Sequence, residues 1–135
     1  MKKFLLAMMV ALVLLVSCSS TETITFSDGE EIIEKFENKE SFVFVISSST
    51  CSACAQYRPI VEEAIESKGL DVFYIESDKV NNEQLVELVE NYLDNDLEWT
   101  PTTYFVVDGE VKESLAGALR YSLLVEKLEE YQLIS

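Results

Sequence analysis

The chain has 135 residues, 48% of them hydrophobic, and a formal charge of −15 at pH 7, values that fit one compact acidic domain. The acidic excess argues against nucleic acid as a partner, because phosphate backbones recruit Lys and Arg. The sequence contains no His, so the usual general base and the commonest metal ligand are absent, and a serine-hydrolase triad is excluded. Three cysteines are too few for a disulfide-stapled scaffold. We therefore expect no metal and no other cofactor.

The N-terminus has the pattern of a targeting signal. Two lysines precede an apolar run over residues 4–16, which is short for a bilayer span of roughly 20 residues but fits the apolar region of a signal peptide, about 7–15 residues long. The following Leu15-Val16-Ser17-Cys18 resembles the bacterial lipobox, which implies cleavage before Cys18 and acylation of that cysteine. The alternative is an uncleaved or conventionally cleaved signal with a stray cysteine.

These features predict three regions: a lipoprotein signal peptide over 1–17, a polar tether over 18–23, and a folded domain over 24–135. Removal of the signal takes away two lysines and no acid, so the mature charge becomes −17. We expect an extracytoplasmic, membrane-anchored bacterial lipoprotein.

Strand and helix patterns alternate through the domain. Ile24-Thr25-Phe26 predicts a short strand, and Ser27 with Glu30 has the capping-box spacing for a helix ending near Asn38. The unbroken apolar run from Phe42 to Ile46 predicts a central strand that is covered on both faces.

A second helix is predicted from Cys51 to about Ser67, stopped by Gly69. A strand over 72–75, a helix over about 85–92, a hairpin of strands 102–107 and 111–115 joined by Asp108-Gly109, and a last helix complete the chain. The order βαβαβαββα predicts an α/β fold whose sheet is mainly parallel and becomes mixed at the hairpin.

Cys51 and Cys54 lie where the central strand gives way to the second helix. A sulfur at a helix N-terminus lies among unpaired N–H groups, which favour the nucleophilic thiolate. The second sulfur lies one turn further along, close enough to close a small disulfide ring. This pattern predicts a redox-active thiol pair. The alternatives are a static disulfide, a degenerate binding module, or a zinc site, which would need two more ligands.

With this order and these residues, the chain is similar to the thioredoxin family over roughly residues 24–133. Cys51-Ser52-Ala53-Cys54 matches the family's CxxC motif, Pro59 matches the proline inside its active-site helix, and Thr100-Pro101-Thr102 matches its cis-proline loop. The resemblance implies the thioredoxin fold, a central mixed sheet flanked by helices. Within it, the chain is similar to short thioredoxin-like proteins found with bacteriocin-export genes.

The resemblance also implies roles for individual residues. Cys51 would attack a substrate disulfide and Cys54 would resolve the mixed disulfide, closing the Cys51–Cys54 bond. Ser52, Ala53, Thr100 and Pro101 would form the substrate-binding surface, with the Thr100 backbone able to pair with an extended segment.

The chain departs from the family at three positions. Thr50 stands where a Trp often precedes the first cysteine, Val45 where many members bury an Asp, and Tyr74 where a Lys often accompanies that Asp. The first departure affects the substrate surface, and the other two affect proton transfer. Tyr74 and Glu76 could reach the space beneath Cys54 or could be ordinary strand residues.

We therefore expect an enzyme, a thiol–disulfide oxidoreductase of reductase or isomerase type. Its partners would be exported protein thiols or disulfides, a membrane or envelope redox protein, and the membrane itself through Cys18. A monomer is expected. The alternative is a non-catalytic adaptor of the same fold in an envelope or bacteriocin-export complex. Arg58 could support a thiolate or be solvated, and Trp99 could cover the active site or pack at a boundary.

Overall fold

The structure, a computed structural model, describes residues 24–135. Its single sheet has the strand order β1-β3-β2-β4-β5. The first three of these strands run parallel to one another, whereas β4 is antiparallel to both β2 and β5. The strands are β1 Thr25–Phe26, β2 Phe42–Ser47, β3 Val72–Glu76, β4 Thr102–Val107 and β5 Glu110–Ala116. The predicted order of strands and helices and the mixed sheet are confirmed.

Four helices connect and cover these strands: α1 Gly29–Glu37, α2 Ser52–Lys68, α3 Asn82–Tyr92 and α4 Tyr121–Glu130. Helices α1 and α3 pack together on one side of the sheet, and α2 packs with α4 on the other. The strand β2 is buried at every position because it lies in the middle of the sheet beneath both helix layers.

Alternation along the strands divides the core into two apolar clusters. Phe44 and Ile46 of β2 face the α1–α3 layer, where Phe44 stacks on Tyr104 with ring centroids 4.8 Å apart. Val43 and Val45 face the α2–α4 layer instead. The thiol-bearing helix therefore packs over the face of β2 that carries Val45.

The N-cap of α1 differs from the prediction. Asp28, not Ser27, caps the helix, and its side chain accepts a hydrogen bond from the Glu31 N–H at 2.9 Å. Ser27 instead continues the direction of β1, since its N–H donates to the Tyr74 carbonyl at 3.0 Å. Asp28 and Glu31 also have capping-box spacing, so two overlapping boxes were present in the sequence.

The hairpin and the helix stop form as predicted. Asp108 and Gly109 have φ values of 52° and 74°, the left-handed conformations that a tight two-residue hairpin turn needs. Gly69 ends α2 at φ 64°. Within residues 24–135, none of the helices combines the length and the apolar character that crossing a bilayer would need.

Candidate active site

Cys51 caps the N-terminus of α2. Its Sγ accepts a hydrogen bond from the Cys54 N–H at 3.2 Å, and the two cysteines form a disulfide with their Cα atoms 5.2 Å apart. Cys54 is buried within the first turn, with 3% of its surface exposed, whereas Cys51 is partly exposed. Of the two cysteines, Cys51 is therefore the more accessible to solvent.

The loop before β4 lies against this sulfur. The Thr100–Pro101 peptide bond is cis, as expected, and the Thr100 carbonyl oxygen lies 3.3 Å from Cys51 Sγ. The Pro101 carbonyl accepts the Gly117 N–H at 2.7 Å, and the Thr102 hydroxyl donates to the Trp99 carbonyl at 2.6 Å. These two hydrogen bonds hold the loop in place beside the disulfide.

A contact between Ser49 and Asp78, which the sequence did not predict, holds the loop before Cys51. The Asp78 carboxylate accepts the Ser49 N–H at 2.8 Å and also contacts the Ser49 hydroxyl. The Ser49 hydroxyl is the main reason that the pKa of Asp78 lies below its usual range. The available signal was topological: polar residues following the neighbouring parallel strands β2 and β3 meet at the same sheet edge.

Behind the disulfide, α2 is joined to β4 through a buried pair of hydroxyls. Tyr57 Oη and Thr103 Oγ1 lie 2.9 Å apart, and neither residue is exposed to solvent. Burial raises the pKa of Tyr57 well above its usual value. Nothing in the local sequence pattern pointed to this contact.

A cavity of about 200 Å³ opens beside the disulfide. Its walls are Ser47 to Ser49, Cys51, Cys54, Ala55, Arg58, Tyr74 and Glu76. Tyr74 and Glu76 of β3 are register partners of Val45 and Ser47 of β2. A larger cavity of about 390 Å³ lies near Phe42, at the opposite end of β2, and no cysteine lines it.

Within this cavity, Tyr74 is 2% exposed, and its hydroxyl has no hydrogen-bond partner among the described residues. Burial raises the pKa of Tyr74, and the nearby Ser47 hydroxyl and the Arg58 charge offset part of that rise. Ser47 is thus close enough to affect the pKa without a hydrogen-bonding geometry. Tyr74 belongs to the buried core and Glu76 ends β3, the ordinary roles that the sequence favours, and both also line the cavity that Cys54 lines.

The neighbouring charges are mostly paired. The side chain of Glu76 is 17% exposed, and its Oε2 lies 2.8 Å from Lys79 Nζ. Arg58 pairs with Glu62 at 3.1 Å while its guanidinium lies 5.2 Å from the centre of the Phe26 ring.

Trp99 is 69% exposed, so it is not a boundary packing residue in this structure. Ser52 is exposed and Ala53 partly exposed in the first turn of α2. Cys18 and the predicted signal and tether lie outside the described residues. Among residues 24–135 no group of three or more His, Cys, Asp or Glu side chains is placed to hold a metal ion.

Comparison with known proteins gives structural likeness alone, since neither the family models nor the curated proteins searched produced a match. Thioredoxin from Aeropyrum pernix superposes with a TM-score of 0.62 at 25% identity, covering 77% of this chain and 83% of that one. A mutant thioredoxin from Halobacterium salinarum NRC-1 gives 0.65 at 19% identity, covering 84% and 94%.

A putative oxidoreductase with a thioredoxin fold gives a TM-score of 0.65 at 15% identity, covering 78% of this chain and 92% of that one. The order of the strands and helices, the cysteine pair at the start of α2, Pro59 inside that helix and the cis Pro101 before β4 are the features on which the resemblance in sequence was based. The chain has the thioredoxin fold.

Proposed function

We propose that this protein is a thiol–disulfide oxidoreductase that uses Cys51 and Cys54. The observation that carries the proposal is the disulfide at the N-terminus of α2, with Cys51 partly exposed beside the Thr100 carbonyl and Cys54 buried beneath it. A static disulfide has no need of this asymmetry, whereas a dithiol enzyme needs one sulfur for the substrate and one protected for resolution.

In the reducing direction, the Cys51 thiolate attacks a substrate disulfide and one substrate sulfur leaves. The Cys54 thiolate then attacks Cys51 Sγ, the mixed disulfide breaks, and the substrate departs as a dithiol while the enzyme holds the disulfide. Two electrons pass from the enzyme to the substrate, and an external dithiol of the cell envelope must return them.

The electrostatics of the site favour reduction or isomerisation over strong oxidation. A strong oxidant stabilises its thiolate by about 5 pKa units relative to free Cys, which is about 7 kcal/mol. Cys51 Sγ receives one N–H donor, and a helix N-terminus supplies about 0.3–1 kcal/mol, up to about 2. The Thr100 carbonyl at 3.3 Å opposes negative charge on the sulfur.

The stabilisation of the Cys51 thiolate thus falls several kcal/mol short of what a strong oxidant needs, so we expect a reduction potential below about −180 mV. Equilibration of the full-length chain in glutathione redox buffers measures it. A midpoint above about −150 mV would contradict the reducing assignment.

The location and partners are part of the same proposal. The apolar run over 4–16 and the lipobox-like Leu15-Val16-Ser17-Cys18 support acylation at Cys18 and attachment to the outer side of a bacterial membrane. The substrates would be thiols or disulfides of exported proteins, including those of an export complex. In cells, Cys18→Ala should abolish lipid labelling. The protein should then either remain unprocessed or be released from the membrane. Unchanged labelling and membrane retention would refute the anchor.

Turnover of a disulfide-bonded protein tests the activity itself. The full-length chain in mild detergent should accelerate the reduction of insulin by dithiothreitol, and Cys51→Ser should abolish the acceleration. Cys18→Ser, which leaves the pair intact, is the matched control and should retain it. A wild-type chain that gives no acceleration over dithiothreitol alone would refute the enzyme and favour the adaptor role.

A further inference from the structure

The resolving step requires Cys54 to lose a proton, and the site must supply an acceptor for it. Cys54 is 3% exposed, so bulk water reaches its sulfur poorly. The β2 residue on the same sheet face as the thiol-bearing helix is Val45, which cannot accept a proton. Lining the cavity beside Cys54, the described residues offer one carboxylate, that of Glu76 on the neighbouring strand β3.

Strand register explains how a β3 residue comes to this position. Tyr74 pairs with Val45 and Glu76 with Ser47, and alternate residues of a strand share a face. Glu76 therefore lies on the Val45 face, one pair further toward the start of α2. A proton-accepting group that is absent from the central strand is thus available from the adjacent strand.

The unpartnered Tyr74 hydroxyl indicates what connects the two groups. A buried hydroxyl without a hydrogen bond is unfavourable, so a partner is expected. The cavity of about 200 Å³ has the polar side chains of Ser47, Tyr74 and Glu76 among its walls and has room for water. A water held by Tyr74, Ser47 and Glu76 would satisfy the hydroxyl.

We propose that Glu76 accepts the proton of the Cys54 thiol through a water bound to the Tyr74 hydroxyl, and that it passes a proton from solvent back to Cys54 when the active-site disulfide is reduced. This rests on the proposed oxidoreductase function. During resolution the S–H proton passes to the carboxylate, and the Cys54 thiolate attacks Cys51 Sγ. The bond to the substrate breaks, and the substrate sulfur leaves with the electron pair. Glu76 then releases the proton to solvent.

Other charged groups surround this path. Arg58 and Glu62 of α2 act on the Tyr74 hydroxyl electrostatically, and Lys79 contacts Glu76 Oε2 at 2.8 Å. The Asp78 carboxylate accepts a hydrogen bond from the Ser49 N–H. Glu76 is therefore the carboxylate that both lines the cavity and remains partly buried.

The test follows the decay of a mixed disulfide. The reduced full-length chain is mixed with oxidised glutathione, quenched with acid at intervals, and analysed by mass spectrometry for the Cys51–glutathione adduct and its conversion to the internal disulfide. At pH 7, Glu76→Gln should slow this conversion about tenfold or more, somewhat below the usual range of about 10²–10⁴ for a general base because the cavity opens to solvent. The difference in rate between Glu76→Gln and the wild type should become smaller toward pH 9, where hydroxide takes the proton.

The sign of the effect separates this role from a purely electrostatic one. If Glu76 acted only as a negative charge, its removal would favour the Cys54 thiolate and speed the conversion. A faster or unchanged conversion in Glu76→Gln therefore overturns the proposal, as does slowing that is equal at every pH. Glu76→Asp should recover part of the rate.

Two further variants complete the design. Glu87→Gln removes the same charge from α3, on the other face of the sheet, and should match the wild type. Tyr74→Phe should slow the conversion less than Glu76→Gln but with the same pH dependence, and a wild-type rate would overturn the water-bridged path. Failure of the wild-type chain to form its internal disulfide at all would refute the oxidoreductase itself, independently of Glu76.

Discussion

The buried hydroxyl pair between α2 and β4 should contribute measurably to stability. Tyr57 Oη and Thr103 Oγ1 lie 2.9 Å apart with no access to solvent. Tyr57→Phe removes one partner and leaves the other hydroxyl buried without a hydrogen bond, which costs about 1–3 kcal/mol. Thr103→Val leaves the Tyr57 hydroxyl alone at a similar cost. In the double variant both groups are apolar, so most of the two penalties should disappear.

The measurement is a double-mutant cycle in urea. Free energies of unfolding of the oxidised full-length chain are obtained by linear extrapolation for the wild type, both single variants and the double variant. We expect a coupling energy of about 1–3 kcal/mol between the two sites. The α2–α4 contact offers a matched control: Tyr121 Oη and Ser67 Oγ lie 2.7 Å apart at the surface, where water can replace either partner.

Tyr121→Phe should therefore change stability by about 0.5 kcal/mol or less. If the costs of Tyr57→Phe and Thr103→Val simply add in the double variant, the two hydroxyls do not depend on each other and the reasoning fails. It fails equally if Tyr57→Phe costs no more than Tyr121→Phe.

Three further predictions concern the thiols, a close helix contact and an ion pair. In the reduced chain Cys51 should be alkylated before Cys54, which is 3% exposed, and Cys54→Ser should accumulate a mixed disulfide through Cys51; faster alkylation of Cys54 would reverse the roles. Gly29→Ala should destabilise the chain by about 1–3 kcal/mol in urea, because a Cβ there would lie 2.9 Å from the Gln84 backbone, whereas exposed Glu34→Ala should cost little. Hydrogen bonds from Lys127 and Tyr131 lower the pKa of Glu113 in the folded chain. The ionised side chain therefore adds about 0–1 kcal/mol to the free energy of unfolding above its unfolded pKa of about 4.3, and this contribution is lost as the pH falls below that value. The stability gap to Glu113→Gln should shrink between pH 7 and pH 3, and a gap that stays constant would argue against the ion pair.

The element order was predictable because each segment carried its own local signal. The apolar run at Phe42–Ile46, the Asp108-Gly109 turn and the Gly69 stop each depend on residues within a few positions of one another. The N-cap of α1 could not be predicted from local sequence alone, because both Ser27 and Asp28 fit a capping box. The choice follows from the Ser27 N–H bond to the Tyr74 carbonyl, a contact across the sheet.

The polar contacts around the disulfide were beyond prediction from local pattern. Ser49 meets Asp78 across 29 positions and Tyr57 meets Thr103 across 46, so each depends on how packed elements orient their side chains. The thiol pair itself was recognisable because its spacing lies within four residues, and the strand pattern before it and the helix pattern after it are each local. Val45 and Tyr74 could be identified as departures, but the cavity that joins Tyr74 to Glu76 required the register of β2 and β3.

The strand order has a consequence for association between molecules. Exposed strand edges invite pairing with another chain, which is a common origin of aggregation. Here one edge is β1, only two residues long, and the other is β5, which carries Glu110, Lys112 and Glu113. A register irregularity at Phe105 and Val106 further interrupts the ladder beside β5. Both borders of the sheet are thus poor templates for a foreign strand, so concentrated solutions of the folded domain should resist edge-to-edge polymerisation.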